Sequence, residues 1–329
     1  MFPEYNELEV CSQDWSRFGT VRSIAEVHHR DQSYQIPLFT VGSQDPTAPV
    51  LVISGGIHGL ERIGTHVAIS FIRHLIARIR WDEMLQEHFK HLRMVLMPLM
   101  NPVGMHHHTR SNGQGVDLMR NAPIEAEHAS FMVGGHFISP RLPWYRGNLS
   151  QTEEGMEVEA KALVNVVRNE LRHSRCVLAL DLHSGFGNSD QLWFPYAKTA
   201  RVFPMIHQVQ AFNDILDQVM SNHVYVFEPQ AKNYTTHGDL WDYLFETNPG
   251  TGSYLPLTLE MGSWNWIRKN PIQLFSLMGP FNPIKPHRQK RAMRRHLPLF
   301  DFMMHATSSH PVWTKADPSL RSIALEKWY

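Results

Sequence analysis

Four short, apolar-rich runs constrain this chain more than anything else in it: residues 50–53, 92–100, 176–182 and 255–261. Each stops at small or polar residues. None shows the strict apolar–polar alternation of a strand with one wet face, so they read as strands covered on both sides. A segment of different period follows the first run. Ile63, Val67, Phe71, Leu75 and Ile79 recur at one-turn spacing, with Ala68, Ile72 and Ile76 beside them, which is the buried stripe of an amphipathic helix. Strand–helix alternation of this kind predicts an α/β fold: a mixed, mostly parallel central sheet with helices on both faces. Ligands of such sheets bind at the C-terminal ends of the strands.

The rest of the chain fits around that core. Residues 21–27 and 34–41 read as a β-hairpin, and residues 1–20 as an irregular lead-in. A long loop rich in Gly, Pro, His and Arg runs from Gly104 to about residue 148, and loops of that length are usually functional. Residues 153–171 read as a helix with an acidic first turn. Shorter strands are expected at 191–196 and 224–227, and helices at 202–219, 239–245, 272–277 and 287–304. With no repeat and no low-complexity linker, one catalytic domain over residues 1–329 is expected: a hairpin region at 1–49, a core at 50–265 and a helical extension at 266–329.

Composition excludes several classes. Of 329 residues 43% are hydrophobic and 19% charged, enough apolar matter for a large core. Lys+Arg and Asp+Glu both number 31, so no global charge points to nucleic acid or a membrane surface. Two cysteines cannot make a disulfide framework, and Cys176, inside an apolar run, reads as a buried thiol. No uncharged apolar run approaches the ~18 residues of a membrane span. The start, Met1-Phe-Pro-Glu-Tyr-Asn-Glu, lacks a basic segment leading into an apolar one, and a cytoplasmic location is the expectation.

The ends of the core strands carry the chemistry. Ser54-Gly-Gly-Ile-His58-Gly-Leu-Glu61 follows the first run and holds a His and a Glu three positions apart. Two His and one Glu form a known ligand set for hydrolytic zinc, with a fourth position for water. His183, at the end of the third run, is the best third ligand, and Asp181 two residues before it is a candidate carboxylate to orient a ligand. Glu260 is an acid inside the last apolar run. Burial there would raise its pKa, which suits a proton-transferring group.

These residues also carry a resemblance. Gly55-Gly-Ile-His58-Gly-Leu-Glu61, Asn101-Pro-Val-Gly104, Thr109-Arg110-Ser-Asn112-Gly-Gln-Gly-Val116-Asp117-Leu-Met119-Arg120-Asn121, Asp181-Leu-His183-Ser and Leu259-Glu260-Met-Gly resemble, in order, the motifs of the zinc carboxypeptidase family. The resemblance implies one zinc ion held by His58, Glu61 and His183, with Glu260 as general base and acid. It implies that Arg110 polarises the scissile carbonyl and that Arg120 clamps a substrate carboxylate. Tyr234 resembles the family's mobile tyrosine, with Asp239 and Trp241 as candidates for the side-chain pocket. One position departs: Met119 stands where the family carries Asn, which removes an amide donor beside Arg120. The motifs are also similar to those of the succinylglutamate desuccinylase and aspartoacylase branch. The expected substrate is therefore a small peptide, with an N-acyl amino acid as the alternative; a metal-binding protein without catalysis is a third reading, against which Glu260 and Arg110 argue. His106-His107-His108 reads as a surface feature, Tyr145-Arg146-Gly147 as part of the pocket rim, and the basic run at 285–296 as a solvated helix face.

Overall fold

A computed structural model describes residues 2–147, 152–185 and 187–329; the end of the long loop lies outside them. The strands are β1 (Thr20–His29), β2 (Gln32–Gly42), β3 (Val50–Gly55), β4 (Arg93–Met97), β5 (Cys176–Gly185), β6 (Asp190–Phe194), β7 (Tyr225–Pro229) and β8 (Ser253–Gly262). They form one sheet in the order β1-β2-β4-β3-β5-β8-β6-β7. The centre, β4-β3-β5-β8, is parallel. The β1–β2 hairpin continues it antiparallel at one edge, and β6 pairs antiparallel with β8 at the other. The expected mixed sheet is what the chain forms.

The helices are α1 (Pro3–Trp15), α2 (Arg62–Ile79), α3 (Glu83–His88), α4 (Pro102–His107), α5 (Val158–Leu171), α6 (Ile206–Val219), α7 (Leu240–Glu246), α8 (Trp264–Lys269), α9 (Pro286–Ser308), α10 (Pro311–Thr314) and α11 (Leu320–Trp328). The apolar stripe of α2 packs on β3 and β5 and meets α9, where the rings of Phe71 and Phe300 lie 4.7 Å apart. Val50, Leu51, Val52 and Ile53 are fully buried, each contributing on the order of 1.5–3 kcal/mol of burial. Helices α5 and α7 cover the opposite face of β5 and β8. None of the helices among the described residues is long and apolar enough to cross a membrane.

Four expectations are corrected. Residues 3–15 form α1 rather than an irregular lead-in: Glu4, Leu8, Cys11 and Trp15 recur at helical spacing and are buried. A stripe containing an acid and a thiol is hard to see by hydropathy alone. Glu4 is buried because Arg62 Nε donates to it at 2.7 Å and His66 Nε2 lies 2.7 Å away. The helix expected from residue 153 begins at Val158, after a separate 3₁₀ turn at Glu153–Gly155. The segment after α8 is a 3₁₀ turn, Pro271–Phe275. The long loop contains α4 and a 3₁₀ turn at Leu118–Arg120.

Register makes the site. His183 pairs with Glu260 and Asp181 with Thr258 across β5 and β8. Ser54 pairs with Asp181 across β3 and β5, and Gln191 with Glu260 across β6 and β8. Side chains alternate along a strand, so these polar residues share one face. Leu182 and Leu259 point to the other, where both are buried.

Candidate metal centre and active-site cleft

The first ligand turn is built by close approach. Gly56 has φ +66°, a region that L side chains rarely adopt, and a Cβ on Gly59 would lie 1.9 Å from the Gly104 carbonyl carbon. Asn101 locks the two motifs together. Its side chain caps α4 by accepting from the Gly104 N–H at 2.8 Å, and its amide donates to the Ile57 carbonyl at 3.1 Å. The turn thereby delivers His58 and Glu61 to the end of β3.

His58, Glu61 and His183 are the one group of three metal-capable side chains found among the described residues, and one donor atom from each lies within 4.8 Å of the others. All three are buried. His58 Nδ1 is 2.9 Å from Glu61 Oε1, and His183 Nδ1 is 3.0 Å from Glu61 Oε2. The far nitrogens are both committed to carboxylates: His58 Nε2 to Asp117 Oδ1 at 3.0 Å, and His183 Nε2 to Asp181 Oδ2 at 2.8 Å. A carboxylate on one ring nitrogen fixes the tautomer and leaves the other nitrogen for a metal. The donor set and its buttresses therefore fit a zinc ion. Burial pushes Glu61 upward, but the two imidazoles outweigh it and hold its carboxyl well below the usual range. Burial opposes charge on His183 as well, and Asp181 and Glu61 overcome it, raising the imidazole well above its ordinary value.

The other expected residues surround this centre. Arg110 Nε donates to Asp117 Oδ2 at 2.9 Å and Nη1 to Glu61 Oε1 at 3.1 Å. Glu260 borders the same cleft beside His183; burial first, then the Glu61 charge, raise its carboxyl from 4.5 to about 8, against His183 and Arg110. Arg120 is buried, donates only to backbone carbonyls of Val133 (3.2 Å) and Met119 (3.4 Å), and has no carboxylate partner among the described residues. The ring of Tyr234 lies 5.9 Å from its guanidinium carbon and edge-on to Trp193. A cavity of about 800 Å³ joins all of these, and Met119, Gln191, Trp193 and Thr258 line it too.

Some readings of the sequence change. Asp239 and Trp241 do not line the cleft: Asp239 caps α7 by accepting from the Trp241 and Asp242 N–H groups at 2.9 Å, and Trp241 Nε1 donates to Asp181 Oδ2 at 2.9 Å. Arg146, expected at the rim, is buried behind Arg120 and donates to its carbonyl at 3.1 Å. His106 and His107 stack on each other within α4, with His106 also stacked on Phe2. Asp117 was visible only as part of a motif; nothing in its spacing assigned it to His58. The Ser54 Oγ bond to Asp181 Oδ1 (2.7 Å) had no sequence signal.

Comparisons with known proteins agree with this geometry. A sequence model described as zinc carboxypeptidase matches residues 20–259. The chain is 25% identical to mouse carboxypeptidase A4 over 209 residues, 61% of this chain and 47% of that one, so it spans about half the length of that relative. Its fold is similar to that of thrombin-activatable fibrinolysis inhibitor, with TM-score 0.67 and 16% identity over 94% of this chain and 73% of the other. It is likewise similar to carboxypeptidase A from Helicoverpa armigera, with TM-score 0.67 and 16% identity over 92% and 71% of the two chains. With the family's motifs in order and its His–Glu–His donor set assembled at the strand ends, the chain belongs to the zinc carboxypeptidase family.

Proposed function

We propose that this protein is a zinc-dependent amide hydrolase of carboxypeptidase type, acting on a small peptide with a free carboxylate. The observation that carries the reading is the shared cleft: three metal donors, an acid of raised pKa and a buried arginine with no carboxylate partner among the described residues all face one cavity. His58, Glu61 and His183 would hold a zinc ion, which would supply Lewis acidity toward a water and a carbonyl. Glu260 accepts a proton at its carboxylate and returns it to the leaving amine, a task for which its raised pKa is suited. Arg110 presents a fixed guanidinium to the charge that develops on the carbonyl oxygen. Arg120 pairs with the substrate's carboxylate, replacing backbone contacts with a charge-assisted fork. Tyr234, beside Arg120, donates its hydroxyl to the bound substrate.

Met119 favours keeping a second reading. It is buried, lines the cleft, and offers no side-chain donor where the family has an amide. A substrate with its carboxylate placed differently, such as an N-acyl amino acid, fits that change; the likeness to the desuccinylase and aspartoacylase branch finds no support in the relatives above. Turnover by the zinc-loaded protein on two panels separates the readings. One panel holds N-blocked dipeptides with and without a C-terminal amide, the other N-acyl amino acids. Cleavage confined to dipeptides with a free carboxylate is expected. Cleavage of the N-acyl panel alone would transfer the assignment to a deacylase, and no cleavage of either would remove both.

A further inference from the structure

We infer that Trp241 is a positioning residue for the metal ligand His183, acting through Asp181; this rests on the zinc reading above. The two ligand imidazoles are held by carboxylates of different surroundings. Asp117, on His58, is fixed by Arg110 Nε (2.9 Å) and by the Met119 N–H (3.1 Å). Asp181, on His183, has no arginine or lysine partner among the described residues. Its Oδ1 accepts from Ser54 Oγ (2.7 Å) and from the Leu182 N–H (3.1 Å). Its Oδ2 accepts from His183 Nε2 (2.8 Å) and from Trp241 Nε1 (2.9 Å). Asp181, Ser54 and Trp241 are all buried, so no water substitutes freely for a lost donor.

The fold brings Trp241 there from far along the chain. It occupies the first turn of α7, and Asp239 at the cap fixes that turn by accepting the N–H groups of Trp241 and Asp242. The preceding Gly238, at φ +70°, has its carbonyl on the Ala122 N–H at 3.0 Å, and a Cβ there would lie 1.9 Å from the Arg120 carbonyl oxygen. One short segment therefore ties the loop of Arg120 to the buttress of His183. With its indole N–H in place, Asp181 Oδ2 has both of its partners and a fixed direction. The imidazole then turns Nδ1 toward Glu61 and His58. Without it, Oδ2 keeps only the imidazole, and carboxylate and ring rotate together.

The test is zinc affinity, measured by chelator competition on the full chain. Trp241→Phe keeps most of the ring and removes the donor. Its zinc Kd should rise about tenfold, the low end for loss of an outer partner of a ligand, while the melting temperature of the metal-free protein stays near wild type. In an Asp181→Asn background the same substitution should change Kd less than twofold, because its route of action is already broken. Ser54→Ala, which strips a donor from the other oxygen, should also weaken zinc and covers the possibility that Trp241→Phe fails to fold. An unchanged Kd in both single variants overturns the inference. So does an equal loss with and without Asp181→Asn, which would mark Trp241 as packing alone. If wild-type protein itself binds no stoichiometric zinc, the metal reading fails first, and the two failures are told apart.

Discussion

At the scale of single residues, the proposed base Glu260 and the proposed carboxylate clamp Arg120 can be tested separately. Glu260 lies on β8 directly beside His183 of β5, and burial and the Glu61 charge raise its carboxyl to about 8. A nearby cation lowers a carboxyl pKa, so in the zinc-loaded enzyme the midpoint should fall between 4.5 and that value. In the proposed mechanism the ionised carboxylate is the working base, so kcat/KM should rise with pH through that midpoint. Glu260→Gln should lower kcat by at least ~100-fold, as expected for a general acid–base group, and should abolish the acidic limb in a pH–rate profile. Arg120→Ala should act mainly on KM: steady-state kinetics should show it raised at least ~10-fold for a free-carboxylate substrate, about one charge-assisted hydrogen bond at 1.5–3 kcal/mol, and little changed for the C-terminal amide. Equal loss on both substrates would show that Arg120 does not hold the carboxylate.

Among the elements, α5 supports the loop that carries Arg110 and Asp117. Asn112 sits between those two residues. Its Oδ1 accepts from the Gln114 and Val116 N–H groups at 3.0 Å, and its Nδ2 donates to Glu157 Oε2 at 2.8 Å and reaches both oxygens of Glu159 at 3.3 Å. Glu159 is buried in the first turn of α5, and burial raises its carboxyl from 4.5 to about 7. Folding thus favours its protonated form. Its stabilising contribution is complete below about 4.5 and disappears as pH rises through about 7. A tenfold change in proton affinity is worth about 1.4 kcal/mol, so the loss is on the order of 3 kcal/mol. Glu159→Gln keeps an acceptor for Asn112 and does not titrate. Denaturant unfolding of the metal-free protein between pH 5 and 8 should show wild type losing stability relative to this variant by that amount; parallel profiles would contradict the buried-acid account. The elements themselves were unevenly visible in the chain. The central strands and α2 announce themselves because their buried positions are filled by aliphatic residues at a single period. Helix α1 does not, because its buried stripe includes Glu4, which is tolerable only once Arg62 and His66 of α2 are beside it.

For the whole molecule, zinc should couple to folding. The three donors come from β5 and from the turn after β3, so the site exists only when the sheet is assembled. An ion that binds the folded state alone adds about 4 kcal/mol at a thousandfold excess over Kd. Chelation should accordingly lower the melting temperature by several degrees in a thermal scan, with zinc restoring it, and His58→Ala should remove the difference. An equal melting temperature with and without zinc would count against a native site. The motifs already pointed to His58, Glu61 and His183 as a donor set and to Glu260 as the acid near it, because each sits at or near the end of an apolar run whose strand character follows from local pattern and together they resemble the family's motifs. The sequence by itself also determined the α/β class, since hydrophobic period is a property of neighbouring residues. Only the tertiary structure decided who holds the ligands. Asp117 reaches His58 from 59 positions away and Trp241 reaches Asp181 from 60. Such pairings are set by strand register and by the seating of α7 on the sheet, and nothing local in the chain encodes either.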